Sequence, residues 1–216
     1  MDLVIFDLDG TLIDSSRDLA DSVNATRASL HLPPLEDATV YSYVGNGAPV
    51  LIRKALGPDY SDDEVQAALL YFLGYYRDHM LDNTVLYPGV RDVLDRFHGA
   101  GITMAVLTNK PVRFSQAIID GLGLTAHFLR VYGGNSFDQK KPHPVGIETL
   151  LVDCGVSREK TIMVGDSSVD VQTARNAQVT ACGVTWGFQP DTFAEYPPDL
   201  LIHQPEELAA RIIGRG

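Results

Sequence analysis

The chain has 216 residues, 45% hydrophobic and 21% charged, the balance of a water-soluble globular protein with enough length for one core and a small second domain. Its 28 acidic and 17 basic residues leave a formal charge of −11. That balance argues against a nucleic-acid-binding surface, and it means that an anionic ligand must meet cations placed locally against the global field. Cys154 and Cys182, the only two cysteines, are far apart and read as buried, reduced small residues rather than a disulfide framework or a zinc site. The longest apolar stretch, from about Ala67 to Tyr76, is interrupted by Gly74 and is too short to span a bilayer. The first strand begins at once with no basic leader, so a cytoplasmic protein without membrane partners is expected.

Leu3-Val4-Ile5-Phe6 is a short apolar run that reads as a strand buried on both faces. It leads into Asp7-Leu8-Asp9-Gly10-Thr11, where the alternation of an extended chain puts Asp7 and Asp9 on one side. Ser15 or Ser16 is placed to cap a helix carrying Leu19, Ala20, Val23, Arg27 and Leu30, and Pro33-Pro34 ends it. A second amphipathic segment runs from Val40 to Ile52, with Gly45-Asn46-Gly47 inside it, and closes at Gly57-Pro58. Ser61 and Glu64 form a capping-box pattern for a third helix reaching about Leu81. No strand is predicted between 14 and about 85.

From Pro88, read as a helix N1 residue, strand and helix alternate. A helix to about His98 is followed by a strand over Ile102 to Leu107 and a helix over Val112 to Leu122. A strand over Phe128 to Tyr132 and a Gly-rich polar loop then lead to a helix over Val145 to Cys154. Strands over Thr161 to Val164, Val179 to Val184 and Leu200 to Ile202 are interleaved with a helix to about Ala177 and a closing helix from Pro205 through Ile213. The alternation predicts an α/β fold, a Rossmann-like doubly wound parallel sheet, with an all-helical segment inserted after its first strand. The domain division expected is a core of residues 1–13 and 86–216 and a helical cap of 14–85. In such sheets ligands bind beyond the carboxyl ends of the strands, so Asp7, Asp9, Thr108, the loop with Lys141, and Asp166 can meet at one edge.

These residue types suit phosphoryl transfer. Asp7 is a candidate nucleophile, able to form an aspartyl-phosphate, and Asp9 is placed to protonate the leaving oxygen and then activate water. Paired carboxylates repel each other, and a hard divalent cation, Mg²⁺, is the simplest compensation, with Asp166 as a third carboxylate and Asp170 four residues on. Thr108 and Asn109 offer donors ahead of a helix, and Lys141 in Lys140-Lys141-Pro142 offers a fixed charge that pairs with Asp7 and the phosphate. Each piece has a plainer reading: Thr108-Asn109 as a helix cap, Lys140-Lys141 as a solvated loop, Gly165-Asp166-Ser167 as a turn. Their joint occurrence after separate strands is what the plainer readings leave unexplained.

Asp7-Leu8-Asp9-Gly10-Thr11, Thr108-Asn109-Lys110, Lys141-Pro142-His143-Pro144 and Gly165-Asp166-Ser167-Ser168-Val169-Asp170 together resemble the four motifs of the haloacid-dehalogenase-like hydrolase superfamily. Within it the chain is similar to the bacterial phosphoglycolate phosphatases, through Tyr43-Val44-Gly45-Asn46-Gly47-Ala48, Leu107-Thr108-Asn109-Lys110-Pro111 and Lys140-Lys141-Pro142-His143-Pro144. The resemblance implies Asp7 as nucleophile, Asp9 as acid/base, Thr108 and Lys141 on the phosphate, and Mg²⁺ held by Asp7, the Asp9 carbonyl and Asp166 with Asp170 in support. It implies 2-phosphoglycolate as substrate, with pyrophosphate, a sugar phosphate or a nucleotide as alternatives. A β-phosphoglucomutase-like mutase and a non-catalytic interaction protein on the same fold stand behind these. Gly133-Gly134-Asn135-Ser136 departs from relatives that often carry an acidic residue there. In the cap, the amides around Gly45 and Asn46 are expected to meet a substrate carboxylate, and Arg53 and Lys54 are the cap's best cations, Arg53 being the one expected to face the site, with a surface charge as the plainer reading of either. The oligomeric state is left open.

Overall fold

In the computed structural model, which describes residues 1–214, the chain opens with β1 (Leu3–Phe6). All four β1 residues are shut away from solvent. Five further strands follow: β4 (Thr103–Leu107), β5 (Arg130–Tyr132), β6 (Thr161–Gly165), β7 (Thr180–Val184) and β8 (Leu200–Ile202). They join β1 in a parallel sheet of order β5-β4-β1-β6-β7-β8. β1 lies between β4 and β6, where the direction of strand succession reverses. A crevice opens there beyond the strand ends.

The pleat of β1 divides the core in two. Val4 and Phe6 face α5 (Val90–Gly99), α6 (Val112–Gly121) and α9 (Pro205–Ile212), while Leu3 and Ile5 face α7 (Val145–Cys154) and α8 (Ser168–Asn176). Helices on both faces explain why the central strands read as unbroken apolar runs.

Between β1 and β4 the chain forms α1 (Ser16–Ser29), α2 (Asp37–Tyr41), α3 (Ala48–Leu56) and α4 (Asp62–His79). α1 and α3 both pack on α4. The Ser61 box is present: Ser61 Oγ accepts from the Glu64 amide at 3.3 Å, and Glu64 Oε2 accepts from the Ser61 amide at 2.8 Å. No helix is long and apolar enough to cross a membrane among the described residues.

Four readings of the sequence are corrected. Two residues on each side of the helical segment, β2 (Ile13–Asp14) and β3 (Val85–Leu86), pair antiparallel, where no strand was predicted. A two-residue ribbon carries no periodic signal; it forms because the outgoing and returning chains pass side by side. Pro88 is not a helix N1 residue: α5 begins at Val90, after Gly89 adopts φ +84°. Ser15 stands at the N-cap of α1 but makes no side-chain capping bond; its hydroxyl donates to Asp9 instead, and Asp14 Oδ1 accepts from the Ser16 amide at 3.0 Å. Cys182 is buried, but Cys154 is only partly so.

Candidate active site

The carboxyl ends of β1, β4 and β6 bring the acidic and basic residues of four separate segments together. Asp7 follows β1 directly, and its amide donates to the Val164 carbonyl of β6 at 2.9 Å. Asp166 follows β6, and Asp170 lies in the first turn of α8. One carboxylate oxygen from each of Asp7, Asp166 and Asp170 lies within 4.8 Å of the others, all three residues buried. Lys141, itself buried, reaches into this group, with Nζ 2.6 Å from Asp170 Oδ1 and 2.9 Å from Asp7 Oδ1. Asp170 is further fixed by the Ser167 amide and hydroxyl, and Asp166 Oδ2 accepts from the Phe188 amide at 2.7 Å.

Three buried carboxylates with one ammonium leave negative charge that the protein does not balance. Burial raises the Asp7 carboxyl to about 6, with Lys141 opposing the rise and Asp170 adding to it. Burial also lifts Asp166 well above the usual range, reinforced by Asp170 and Asp7. The donors are all oxygen, converge on one point and carry more negative charge than Lys141 offsets, so they fit a hard divalent cation. Backbone comes close here as well: a Cβ on Gly10, at φ +79°, would stand 2.2 Å from Asp166 Oδ2.

Asp9 points into different company. Its Oδ1 accepts from Ser15 Oγ at 2.6 Å, and Lys110 Nζ donates to its two oxygens at 2.9 and 3.1 Å. Lys110 also donates to the Tyr76 hydroxyl of α4 at 2.6 Å and lies 4.5 Å from the Tyr76 ring centroid. Burial works against the Lys110 charge, but Asp9 and Tyr76 outweigh it and hold the ammonium above its ordinary range. Burial pushes the Tyr76 phenol up to about 12. Lys110 and Tyr76 were not singled out from sequence as site residues, and Ser15 was read only as a helix cap. Lys110 stood inside a quoted motif, which was the available signal. Tyr76 had none, because the face of α4 that meets the sheet is a tertiary choice.

A cavity of about 50 Å³ lies between the helical segment and the sheet edge. Asp7, Asp9, Thr108, Asn109 and Lys110 form its floor, and Leu19, Val44, Leu51, Phe72 and Tyr76 are among its walls. Gly45 and Gly47 line it at the start of α3, while Asn46 turns its carbonyl to Lys140 Nζ at 2.6 Å. Asn109 donates its amide to the carbonyls of Gly45 and Lys141, each at 3.1 Å, so it braces the loop and the helical segment. Arg53 does not line the cavity. It donates to the Tyr60 carbonyl at 2.5 Å and pairs with Asp62, because the α3 face it occupies turns toward the start of α4.

Comparison with known proteins agrees with this arrangement. The sequence pattern described as haloacid dehalogenase-like hydrolase matches residues 4–184. The chain is 41% identical to a phosphoglycolate phosphatase of Pseudomonas fluorescens over 213 residues, 95% of this chain and 78% of that protein. It is 38% identical to a phosphoglycolate phosphatase of Colwellia psychrerythraea, over 87% of this chain and 85% of that one. The crystal structure of a predicted phosphoglycolate phosphatase from Haemophilus somnus superposes with a TM-score of 0.91 at 31% identity, covering 96% of each chain. A six-stranded parallel sheet carrying an inserted helical segment, with carboxylates gathered at its switch point, and the match over most of its length show that the chain belongs to the haloacid dehalogenase-like hydrolase family.

Proposed function

We propose that this hydrolase is a Mg²⁺-dependent phosphatase of small phosphomonoesters, converting 2-phosphoglycolate to glycolate and phosphate through an aspartyl-phosphate on Asp7. The observation that carries the reading is the arrangement around Asp7. It opens to a small cavity, an ammonium holds it to Asp170, and Asp9 stands on the same floor with partners of its own. The printed names of the relatives support the choice of substrate.

An Asp7 carboxylate oxygen attacks phosphorus, and the bond from phosphorus to the ester oxygen breaks. Asp9 gives its proton to that leaving oxygen. The Asp9 carboxylate then takes a proton from water as the water oxygen attacks phosphorus. The phosphorus–Asp7 bond breaks, restoring the carboxylate and releasing inorganic phosphate. Thr108 and Lys141 hold the phosphoryl oxygens, and Asn109 fixes the Lys141 backbone. Asp7, the Asp9 carbonyl, Asp166 and Asp170 would hold Mg²⁺, which would offset charge on the transferred group. Residues 14–85 serve as a cap over a core of 1–13 and 86–216, excluding water from the acyl-phosphate. The compartment proposed is the cytoplasm.

The test is phosphate release from 2-phosphoglycolate, pyrophosphate, a sugar phosphate and a nucleotide, with and without Mg²⁺, for the parent and Asp7→Asn. Metal-dependent turnover led by 2-phosphoglycolate, with at least a roughly thousandfold loss in the variant, is expected. Turnover led by another member of the panel would reassign the substrate, and an equally active variant would remove Asp7 as nucleophile.

A further inference from the structure

The cation expected in the cap for a substrate carboxylate, Arg53, is engaged with Tyr60 and Asp62 away from the cavity. Among the described residues lining the cavity, Lys110 is the one cation. We infer that Lys110 is the specificity-determining residue, receiving the carboxylate of a substrate that carries it on the carbon next to the phosphate ester oxygen. This rests on the reading of the site as a phosphatase in which Asp9 protonates that oxygen.

Three observations converge on this role. Lys110 Nζ donates to both oxygens of Asp9 and to the Tyr76 hydroxyl, and the residue forms part of the cavity lining; because the two Asp9 contacts fall on one carboxylate, a single N–H can serve it and leave another for a ligand. The ammonium is 2.9 and 3.1 Å from the two Asp9 oxygens, so it stands beside whichever of them serves the ester oxygen. In an α-phosphoxy acid the carboxylate is separated from that ester oxygen by one carbon. A cation hydrogen-bonded to the acid/base residue is therefore within reach of the α-carboxylate, and out of reach of an anion several carbons away. Lastly, the walls contributed by Leu19, Val44, Leu51 and Phe72 are apolar, which strengthens an ion pair formed among them. Lys141 stands in the acidic cluster with Asp7 and Asp170 on its ammonium and is not among the cavity-lining residues.

Tyr76 gives the interaction a conformational condition. It belongs to α4, whereas Lys110 and Asp9 belong to the sheet edge. The helical segment must lie over the sheet for the Tyr76 hydroxyl to hold the ammonium in its observed place. Carboxylate recognition and cap closure then use the same lysine.

The experiment compares kcat/KM for 2-phosphoglycolate with that for ethyl phosphate, which lacks only the carboxylate charge and oxygens, in the parent, Lys110→Met and Lys110→Gln. Gln keeps donors for Asp9 while removing the charge, so it covers the case in which Met does not fold. The expected result is a fall of about 10- to 100-fold in the preference for 2-phosphoglycolate in either variant, the range for one charge-assisted hydrogen bond. Most of that fall should be carried by a raised KM for that substrate alone. Equal losses on both substrates would make Lys110 only a support for Asp9 and overturn the inference. An undiminished preference in a folded variant would overturn it too. A parent with no preference would instead fail the substrate assignment of the preceding section, and this inference with it.

Discussion

Asp7 and Asp9, two residues apart, have opposite surroundings, and that difference separates their roles. Asp7 shares an ammonium with Asp170 inside the acidic cluster, whereas Asp9 has Lys110 and Ser15 to itself. In the metal-free chain burial raises the Asp7 carboxyl to about 6 from an ordinary 3.8. A carboxyl shifted in this direction supports the folded state fully below about pH 4, and that support is lost as pH rises through about 6. Replacing Asp7 with Asn removes the titration but leaves Lys141 its Asp170 partner. In chelator, the stability of Asp7→Asn relative to the parent is expected to rise by on the order of 2 kcal/mol between about pH 4 and pH 7.5. Urea unfolding at the two pH values measures this, and a difference independent of pH would remove the burial argument. The proximity of Asp7 and Asp9 was legible from their alternation after an apolar run. The separate partner of Asp9 was not, because Lys110 lies a hundred residues on and reads locally as a solvated side chain.

At the scale of elements, the loop after β5 holds the Thr108-Asn109-Lys110 segment from behind. A Cβ on Gly134 would stand 2.3 Å from the Asn109 carbonyl oxygen, and one on Gly133 would stand 2.3 Å from the Val112 amide nitrogen. Asn135 Oδ1 accepts from that same Val112 amide at 2.9 Å, so it caps α6 from another segment. Asn135 and Ser136, where relatives often carry an acidic residue, thus have a structural use: the asparagine caps α6 and the serine hydroxyl accepts from the Gly133 amide, while the two glycines allow the close approach. Gly134→Ala must push the Asn109 backbone away, and with it the Lys141 carbonyl that Asn109 holds. We expect a fall in kcat of about 10- to 100-fold with the fold retained, measured by steady-state kinetics beside circular dichroism. Unchanged kcat would mean that the loop yields freely. The Ser61–Glu64 box was readable because both partners lie within one turn; the α6 cap was not, because its donor and acceptor are 23 residues apart.

At the scale of the molecule, the helical segment is tied to the sheet at its joint as well as across the cavity. Asp18 in α1 is buried and accepts from the amide and side chain of Asn83 and from the amide and hydroxyl of Thr84, at 2.7 to 3.1 Å. This carboxylate fixes the returning chain beside the outgoing one, next to the β2–β3 ribbon. Asp18→Ala leaves those donors buried without an acceptor, at a cost of about 2–4 kcal/mol. A fall in Tm of about 5–15 °C by calorimetry is the expected outcome. A change below about 1 °C would show that the joint re-forms without Asp18.

Local order determined much of this protein. Apolar run lengths marked the strands, 3.6-residue spacing marked the helices, and the order of strand and helix dictated a parallel sheet whose switch point gathers Asp7, Asp166 and Asp170. These follow from sequence because each depends on neighbours a few residues apart and on the handedness of crossovers. Only the tertiary structure decided that Lys110 serves Asp9, that Arg53 turns to Asp62, and that Tyr76 meets Lys110 over Asp9. Those choices depend on how one helical face lies against another segment, and a rotation of α3 or α4 by a single residue would exchange them without altering the periodicity that marks the helix.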